Sequence, residues 1–439
     1  MTYRCNEWPY RMDTLVTEQQ DVLNTLAEGV NVFMTGCGGT GKSYLISVIQ
    51  DELPKRMLAS SGTPFRVATT ALTGCASLLL RNAKTLHSWA GIGLGKEPVP
   101  ELIHRIRRNG RAKKNWTTTN LLIIDEISML TSELLEKLDL IGQTMRRSTK
   151  TFGGLQLLLV GDFYQLPPVI KAKGSMFAFE SPIWSSLVQK TVALKTIHRQ
   201  KDPVFQTILG EARIGVLSDE SAAILKSRMG LDWQSLKIRP TLLFPRKAEV
   251  DTINDANLKA LTKPKHIFKA TTLGSSAKML KDPAFVRSIE FMDREASYKE
   301  ELELAEGAQV MLIFNLNPTI GLVNGSRGVV TGFDEKGFPI VEFMDGLIQA
   351  IVPHEWTVEG QTGVKRQQIP LRLAWACTIH KAQGATLDSA LIDIGDQTFE
   401  AGQAYVALSR VRSLESLYIH DFSKAAFRAH TKVKDFYTA

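Results

Sequence analysis

The segment Gly36–Ser43, with the sequence GCGGTGKS, has the residue types and the spacing of a phosphate-binding loop. Glycines permit the tight turn in which successive backbone N–H groups point towards phosphate oxygens. Lys42 would reach the β- and γ-phosphates, and the Ser43 hydroxyl would ligate a magnesium ion. The other loop residues that we assign to the phosphates are Gly36, Gly38, Gly39, Thr40 and Gly41. The pattern therefore predicts a site for a nucleoside triphosphate.

Two adjacent acids end an apolar run further along the chain. They are Asp125 and Glu126 in the sequence LLIIDE. At the end of a strand beside the loop, Asp125 can hold the magnesium ion through water, and Glu126 can orient or deprotonate the attacking water. Many strands end in acids, so this interpretation depends on the phosphate-binding loop that precedes the pair.

Three further residues are candidates for sensing the γ-phosphate. Gln165 lies in Gly161–Pro168 (GDFYQLPP), which follows another apolar run, and its neutral amide suits that role. Arg199 and Arg410 fall in a second α/β unit, and an arginine on the γ-phosphate can raise turnover by about 10³–10⁵. An ordinary loop and surface ion pairs are the alternatives for these residues.

Alternating strands and helices must position these side chains. Four apolar runs predict strands, at Val32–Met34, Phe65–Ala68, Leu121–Ile124 and Leu155–Val160. A helix from Thr17 to Leu26 precedes them and opens with a capping box of Thr17 and Gln20. This rhythm predicts a parallel sheet with helices on both faces.

A second α/β region is predicted towards the other end of the chain. Its strands are Thr241–Phe244, Leu371–Ala376, Ala390–Ile394 and Leu417–Ile419. Between Asp251 and Gly363 the composition changes, and Gln309–Val352 has the pattern of short strands separated by turns. That pattern favours a small β-barrel inserted into a larger α/β domain.

The chain is mildly basic. It has 53 Lys and Arg against 45 Asp and Glu among 439 residues, which gives a net charge of +8. This excess permits a polyanionic partner without requiring one. Six of the ten residues from Arg105 to Lys114 are basic, and a solvated surface is the alternative interpretation of that run.

Cysteine usage and hydropathy indicate where the protein works. The four cysteines are far apart and lack the spacing of a zinc site or a disulfide framework, so we expect a reducing compartment. No run of about eighteen apolar residues occurs, so no membrane-spanning helix and no membrane partner are expected. Met1–Asp13 lacks the apolar segment of a secretion signal. These features predict an intracellular protein of the nucleus, the cytoplasm, or a viral or bacterial equivalent.

Taken in order, the motifs resemble those of the Pif-type (petite integration frequency) 5′-to-3′ DNA helicases, which belong to superfamily one, class B, and are related to RecD. The resemblance covers nearly the whole chain. It rests on the strings Leu15–Gln20, Gly36–Ser43, Thr85–Gly93, Asp125–Met129, Thr131–Gly154, Gly161–Pro168, Trp375–Gly384 and Gly402–Arg410. It implies an α/β fold with two RecA-like domains, ATP in the cleft between them and an inserted SH3-like β-barrel.

The resemblance also implies roles for single residues in nucleotide binding. Gln19 matches the position that reads adenine. Gln165, Arg199 and Arg410 match the positions that sense the γ-phosphate. Gly384 matches a loop position near both nucleotide and DNA.

Candidate DNA contacts come from the same resemblance. Thr73, His87 and His380 match DNA-contacting positions, and a buried histidine in an ordinary hydrogen bond is the alternative for each histidine. Leu72 departs from the family pattern, which usually has a small residue or proline at this position of the Thr70–Ala76 motif. The basic run Arg105–Lys114 falls where the family carries a small wedge near the point of strand separation.

The implied domain ranges cover the chain from end to end. The first RecA-like domain spans 1–192, with the wedge at about 92–117. The second spans 193–255 and 365–439, and 256–364 is the insertion with the barrel. The short flanking segments predict a motor without accessory domains.

The function predicted on this basis is an ATP- and Mg²⁺-dependent helicase that translocates on single-stranded DNA and unwinds duplex DNA in replication, recombination, repair or telomere maintenance. Its predicted substrates are single-stranded and forked or tailed duplex DNA, with G-quadruplex DNA as a further candidate, and it loads as a monomer. The alternatives are a DNA-stimulated translocase that does not unwind, and an RNA helicase of the same superfamily. A non-catalytic binding module is disfavoured because the loop, the acids and both arginines are intact.

Overall fold

The computed structural model describes residues 15–168, 177–236, 239–276, 279–296, 298–317, 320, 322, 324–358 and 363–438. The expectation for Met1–Asp13 lies outside these residues. Within them, no helix combines the length and the apolar character needed to cross a membrane.

Helices and strands alternate along the described chain. The helices are α1 (Thr17–Ala27), α2 (Lys42–Ser61), α3 (Gly74–Leu79), α4 (Leu86–Ala90), α5 (Val99–Arg108), α6 (Gly110–Thr118), α7 (Ser132–Arg146), α8 (Trp184–Leu187), α9 (Pro203–Ile214), α10 (Asp219–Lys226), α11 (Lys247–Ala260), α12 (Pro283–Glu295), α13 (Ile379–Ala382), α14 (Gln403–Leu408) and α15 (Thr431–Thr438). The strands are β1 (Val32–Gly36), β2 (Val67–Ala71), β3 (Lys84–Thr85), β4 (Leu121–Asp125), β5 (Gln156–Val160), β6 (Lys190–Leu194), β7 (Thr241–Phe244), β8 (Lys265–Lys269), β9 (Thr271–Leu273), β10 (Glu301–Ala305), β11 (Gln309–Leu312), β12 (Arg327–Phe333), β13 (Pro339–Phe343), β14 (Ile348–Ala350), β15 (His354–Thr357), β16 (Lys365–Gln368), β17 (Leu371–Leu373), β18 (Ala376–Thr378), β19 (Ala390–Ile394) and β20 (Leu417–Phe422).

Packing divides the described residues into two compact units. The first unit runs to Leu217 and also contains Glu400–Ser409 and the residues from Phe427 onward. The second unit consists of Ser218–Phe399 and Arg410–Ala426. These two units are defined only by which residues pack together, and the ranges of the RecA-like domains stay a prediction.

The first unit is built on a six-stranded sheet in the order β3-β2-β4-β5-β1-β6, and every neighbouring pair is parallel. The apolar strands β1 and β4 are buried along their whole length, as the sequence pattern predicted for a parallel sheet. Strand β2 begins two residues later than its apolar run and continues through two threonines. The Thr70 hydroxyl donates to the Ile123 carbonyl at 2.7 Å, so this polar residue is satisfied inside the sheet.

The start of α1 differs from the sequence prediction by one residue. The predicted capping box paired Thr17 with Gln20. In the structure Val16 precedes the helix, and its N–H donates to the Gln19 Oε1 atom at 3.3 Å. The Gln19 side chain is therefore held at the first turn by the backbone of Val16, and it is buried.

The second unit contains a four-stranded parallel sheet in the order β18-β7-β19-β20. The prediction of one strand over Leu371–Ala376 was wrong. The chain instead leaves one sheet after Leu373, passes Ala374 and Trp375, and enters the parallel sheet at Ala376. Both halves of the run are buried, so hydrophobicity alone could not locate the break.

Antiparallel strands fill the middle of the second unit. Five of them form a sheet in the order β14-β13-β12-β11-β17, around an apolar core that includes Val310, Val330 and Val341. The turn between β12 and β13 is closed by the Asp334 carboxylate, which accepts from the Lys336 and Phe338 N–H groups. This Asx-type turn is one that the sequence pattern predicted.

Candidate nucleotide site

The phosphate-binding loop connects β1 to α2 in the first unit. It packs too tightly for side chains at its glycines. A Cβ at Gly36 would lie 2.6 Å from the Leu194 carbonyl oxygen, and a Cβ at Gly39 would lie 2.8 Å from the Arg199 Cβ. Both glycines also have positive φ. Glycine is therefore required at each position for two reasons, the close packing and the backbone conformation.

Lys42 begins α2 and folds back over the loop. Its Nζ donates to the carbonyl oxygens of Gly36 at 2.6 Å and of Cys37 at 2.9 Å. Loss of solvation lowers its pKa, and the nearby carboxylates of Asp162 and Glu126 oppose that shift. The ammonium is thus held among oxygens at the position where a phosphate would need a cation.

The two acids lie where β4 ends. Burial and the adjacent Glu126 charge raise the pKa of Asp125 to about 7, although its carboxylate also accepts from the Glu126 N–H at 2.9 Å. Glu126 itself has φ 56° and ψ 44°, a left-handed conformation that is costly outside glycine. Two adjacent carboxylates at the end of one strand can supply oxygen ligands to a divalent cation, and the cation would reduce the repulsion between them.

Asp162 joins the loop to residues far away in sequence. Its buried carboxylate accepts two hydrogen bonds from the Arg213 guanidinium, both at 2.9 Å. The Tyr405 hydroxyl donates to the same carboxylate at 3.1 Å and accepts from the Gly38 N–H at 2.7 Å. A buried chain of hydrogen bonds therefore runs from Arg213 to the phosphate-binding loop.

The side chain of Tyr437, in α15, packs beside this network. Its hydroxyl lies 2.7 Å from the Thr35 hydroxyl and accepts from the Phe163 N–H at 3.2 Å. Its ring stacks on Tyr164 with centroids 5.0 Å apart, and the Arg213 guanidinium lies over both rings. These contacts connect β1 to the loop that carries Gln165.

Arg199 belongs to the first unit, whereas the sequence interpretation assigned it to the second α/β unit. The His198 and Arg199 N–H groups both donate to the Gly39 carbonyl, and the Arg199 guanidinium donates to the Ser409 carbonyl at 2.8 Å. The segment after β6 is therefore fastened to the phosphate-binding loop before α9 begins. The local sequence of this segment did not predict that attachment.

Two other predicted residues, Gln19 and Gln165, are buried in the first unit. Gln19 Nε2 is 3.1 Å from the position that a Cβ on Gly41 would occupy, so the amide is beside the loop. Gln165 is buried, and its N–H donates to the Asp162 carbonyl at 2.9 Å.

Arg410, Gly384 and His380 lie in the second unit. Arg410 is buried and donates to the Ala385 carbonyl at 3.2 Å, next to Gly384, whose φ is +80°. His380 in α13 is stacked on Phe399, and burial lowers its pKa. The structure brings Arg410 and Gly384 together.

The remaining DNA candidates lie in the first unit after β2. The Thr73 hydroxyl caps α3 by accepting from the Ala76 N–H at 3.1 Å. His87 lies in α4, where burial lowers its pKa. The cap supplies Thr73 with a structural role, and a neutral imidazole leaves His87 able to donate or accept a hydrogen bond.

Sequence reasoning missed Asp162, Tyr405, Arg213 and Tyr437. Asp162 and Tyr405 lie within the motif strings Gly161–Pro168 and Gly402–Arg410, in which the sequence predicted roles only for Gln165 and Arg410. Arg213 and Tyr437 had no sequence signal. Each acts through partners at least 51 residues away.

Comparison with known proteins follows the same motifs. Residues 14–211 match a family described as PIF1-like helicase, and residues 293–333 match the 2B domain of the DNA helicase Pif1. The chain is 39% identical over 428 residues to the ATP-dependent DNA helicase PIF1 of Xenopus laevis, covering 96% of this chain and 64% of that protein. It therefore spans less than two thirds of the length of that curated relative.

Solved structures are similar over almost the whole chain. The crystal structure of Pif1 helicase from Candida albicans has a TM-score of 0.81 and 36% identity, and covers 97% of this chain and 99% of that one. The crystal structure of Bacteroides Pif1 bound to ssDNA has a TM-score of 0.66 and 26% identity, with 97% and 96% covered.

Proposed function

Because the chain belongs to the PIF1-like helicase family, we propose that it is an ATP-dependent DNA helicase that translocates 5′ to 3′ on single-stranded DNA and unwinds duplex DNA. The observation that carries the proposal is the cluster of Lys42, Asp125 and Glu126 at the carboxyl ends of parallel strands. A cation for the phosphates beside two acids for metal and water is the charge arrangement that nucleotide hydrolysis requires.

The chain's own residues have distinct tasks in the proposed reaction. Lys42 compensates the charge of the β- and γ-phosphates, and Glu126 orients and deprotonates the attacking water. Ser43 and Asp125 would hold a magnesium ion, and the raised pKa of Asp125 beside Glu126 fits a site for a divalent cation. When bound, that ion neutralises charge that develops on the phosphates.

Four more residues complete the proposed nucleotide site. Gln19 reads adenine, and its burial beside the loop supports this role. Gln165, Arg199 and Arg410 sense the γ-phosphate. The contacts of Arg199 with Gly39 and Ser409 support its nearness to the phosphates.

We also propose the domain roles that the family resemblance implies. The parallel sheets of the two units would be the cores of two RecA-like domains, with the ranges 1–192, 193–255 and 365–439. The antiparallel sheet from β11 to β14 within 256–364 would be an SH3-like barrel, which its turn sequences support. The helices α5 and α6, which cover most of the predicted range of about 92–117, would form the wedge.

DNA is the proposed substrate, and the solved Bacteroides relative bound to ssDNA supports it. Thr73, His87 and His380 are the proposed contacts, and Gly384 is proposed to belong to the nucleotide site at a loop that lies near both nucleotide and DNA. Forked and tailed duplexes are proposed substrates for unwinding. G-quadruplex binding and loading as a monomer stay predictions.

The deciding experiment measures ATP-driven unwinding of duplexes that carry either a 5′ or a 3′ single-stranded tail. Unwinding only from the 5′ tail is expected, and the matched Lys42→Ala variant should unwind neither while keeping its fold by circular dichroism. Unwinding only from the 3′ tail would overturn the proposed polarity. DNA-stimulated hydrolysis without strand separation would identify a translocase, and stimulation by RNA alone would identify an RNA helicase.

A further inference from the structure

A cavity of about 440 Å³ lies in the first unit between α2, the beginning of β2 and α6. Four cationic residues line it, and they are Arg66, Arg81, Lys84 and Lys114. No carboxylate is among the described residues of its lining. A concave surface with charges of one sign concentrates counter-ions more strongly than a flat one.

Two of these cations have no acidic partner among the residues that the structure describes. Arg81 is paired with Asp51 outside the cavity. The Arg66 guanidinium donates only to the Thr118 hydroxyl, at 3.2 Å, and no partner of the Lys114 ammonium is found in the described part of the chain. Arg66 and Lys114 are both exposed, so their charges are available to a ligand.

The cavity is separate from the nucleotide site. It is lined by Val67, Ala68 and Thr69, the first residues of β2, whereas the phosphate-binding loop and the acids lie at the opposite, carboxyl ends of the parallel strands. Strand β2 pairs with β3 only through Thr70 and Ala71. The edge of β2 that precedes them is therefore open to the cavity in the described structure.

We propose that this cavity binds phosphate groups of a DNA backbone, as a second anion site in addition to the phosphate-binding loop. Arginine pairs with phosphate through two parallel hydrogen bonds, and lysine supplies a point charge, so Arg66 and Lys114 together suit one phosphate or two adjacent ones. The proposal rests on the proposed function, because DNA is the phosphate source that a helicase meets. A free phosphate compound is the other source of the same chemistry.

The test is the double variant Arg66→Gln/Lys114→Gln. Binding of labelled single-stranded and 5′-tailed duplex DNA is measured across a range of salt concentrations. Each lost phosphate contact should reduce the slope of log K against log salt by about 0.7–0.9, so the double variant should lose about 1.4–1.8. ATP hydrolysis without DNA should be unchanged.

The matched control is Lys55→Gln/Lys150→Gln, which removes the same charge from two exposed lysines outside the cavity lining. Its salt slope should stay that of the wild type. If the double variant unfolds at a lower temperature, the single Arg66→Gln variant, which lies outside the proposed wedge, should still lose about 0.7–0.9 of the slope.

The outcomes separate this inference from the proposed function. If the wild type binds DNA and the double variant has the same salt slope as the wild type, the cavity site is overturned and the helicase proposal stands. A wild type that neither binds DNA nor hydrolyses ATP overturns the function itself. Binding of ribose 5-phosphate is measured by calorimetry for the wild type and the double variant. If only the wild type binds it, and the salt slope for DNA is the same in both proteins, the cavity binds free phosphate compounds and the proposal of a DNA backbone site is overturned.

Discussion

The Tyr405 hydroxyl accepts a hydrogen bond from the Gly38 N–H at 2.7 Å, which attaches α14 directly to the phosphate-binding loop. The same hydroxyl donates to the Asp162 carboxylate. Burial and the nearby Asp162 charge raise the pKa of Tyr405 far above its ordinary range, so the hydroxyl keeps its proton. A hydroxyl that keeps its proton can both donate and accept a hydrogen bond.

Replacement of Tyr405 by phenylalanine should destabilise the first unit. The ring is kept, but a buried carboxylate and a loop N–H each lose a partner, and we expect a cost of about 2 kcal/mol in the free energy of unfolding. Urea unfolding would measure it. Tyr418→Phe, at a half-buried tyrosine in β20, is the control and should cost less than about 0.5 kcal/mol. Equal effects of the two substitutions would contradict the role of the hydroxyl.

Replacement of Arg213 by methionine should cost more. Asp162 is fully buried and would lose its two hydrogen bonds to a cation, so the expected loss of stability is about 3 kcal/mol. Thermal or urea unfolding measures the loss. The control is Lys424→Met, whose salt bridge to Asp219 is solvent-exposed and should contribute little to stability. A loss for Arg213→Met as small as that of Lys424→Met would show that the buried pair is not needed for stability.

Tyr437→Phe should slow ATP hydrolysis while the protein remains folded. The substitution removes the hydrogen bonds to Thr35 and Phe163 but keeps the stacking on Tyr164, so the loop that carries Gln165 loses part of its attachment to β1. We expect kcat to fall about fivefold, which corresponds to about 1 kcal/mol. KM for ATP should change less.

Steady-state kinetics with Tyr437→Leu complete the comparison. This variant also removes the stacked ring and should be slower than Tyr437→Phe. A Tyr437→Phe enzyme with wild-type kcat would exclude the hydroxyl from positioning Gln165.

The Cys37 thiol should react slowly with alkylating agents. Burial is the main cause of its raised pKa, and the Arg213 and Lys42 charges oppose it only partly. A raised pKa leaves less thiolate at a given pH, so the pH midpoint of iodoacetamide modification should lie above that of a free cysteine. Mass spectrometry of the peptide with Cys37 gives the rate, and a midpoint at or below the free value would contradict the effect of burial.

Local sequence was sufficient for the parts of the site that one segment contains. The phosphate-binding loop and the acids at the end of β4 depend on neighbours within a few residues, so their spacing predicted them. The family resemblance is confirmed by the comparisons. The strands that carry these residues were also found, because strands buried on both faces are continuous apolar runs.

The rest of the site depends on contacts that no local pattern encodes. Arg213 is 51 residues from Asp162, and Tyr437 is 402 residues from Thr35. An arginine or a tyrosine near a helix end has many possible partners, and only the folded chain selects one. The attachment of Arg199 to the loop and the division of Leu371–Ala376 between two sheets were missed for the same reason.

The aromatic cluster of the first unit has a consequence for how the chain is made. Phe33 in β1 and Phe163 both contact Phe436 in α15, with ring centroids 6.1 Å and 5.4 Å apart. A ribosome synthesises Phe436 more than four hundred residues after Phe33. The apolar surface around Phe33 and Phe163 therefore stays exposed in the nascent chain while the second unit is translated. A chaperone would bind this surface during that interval.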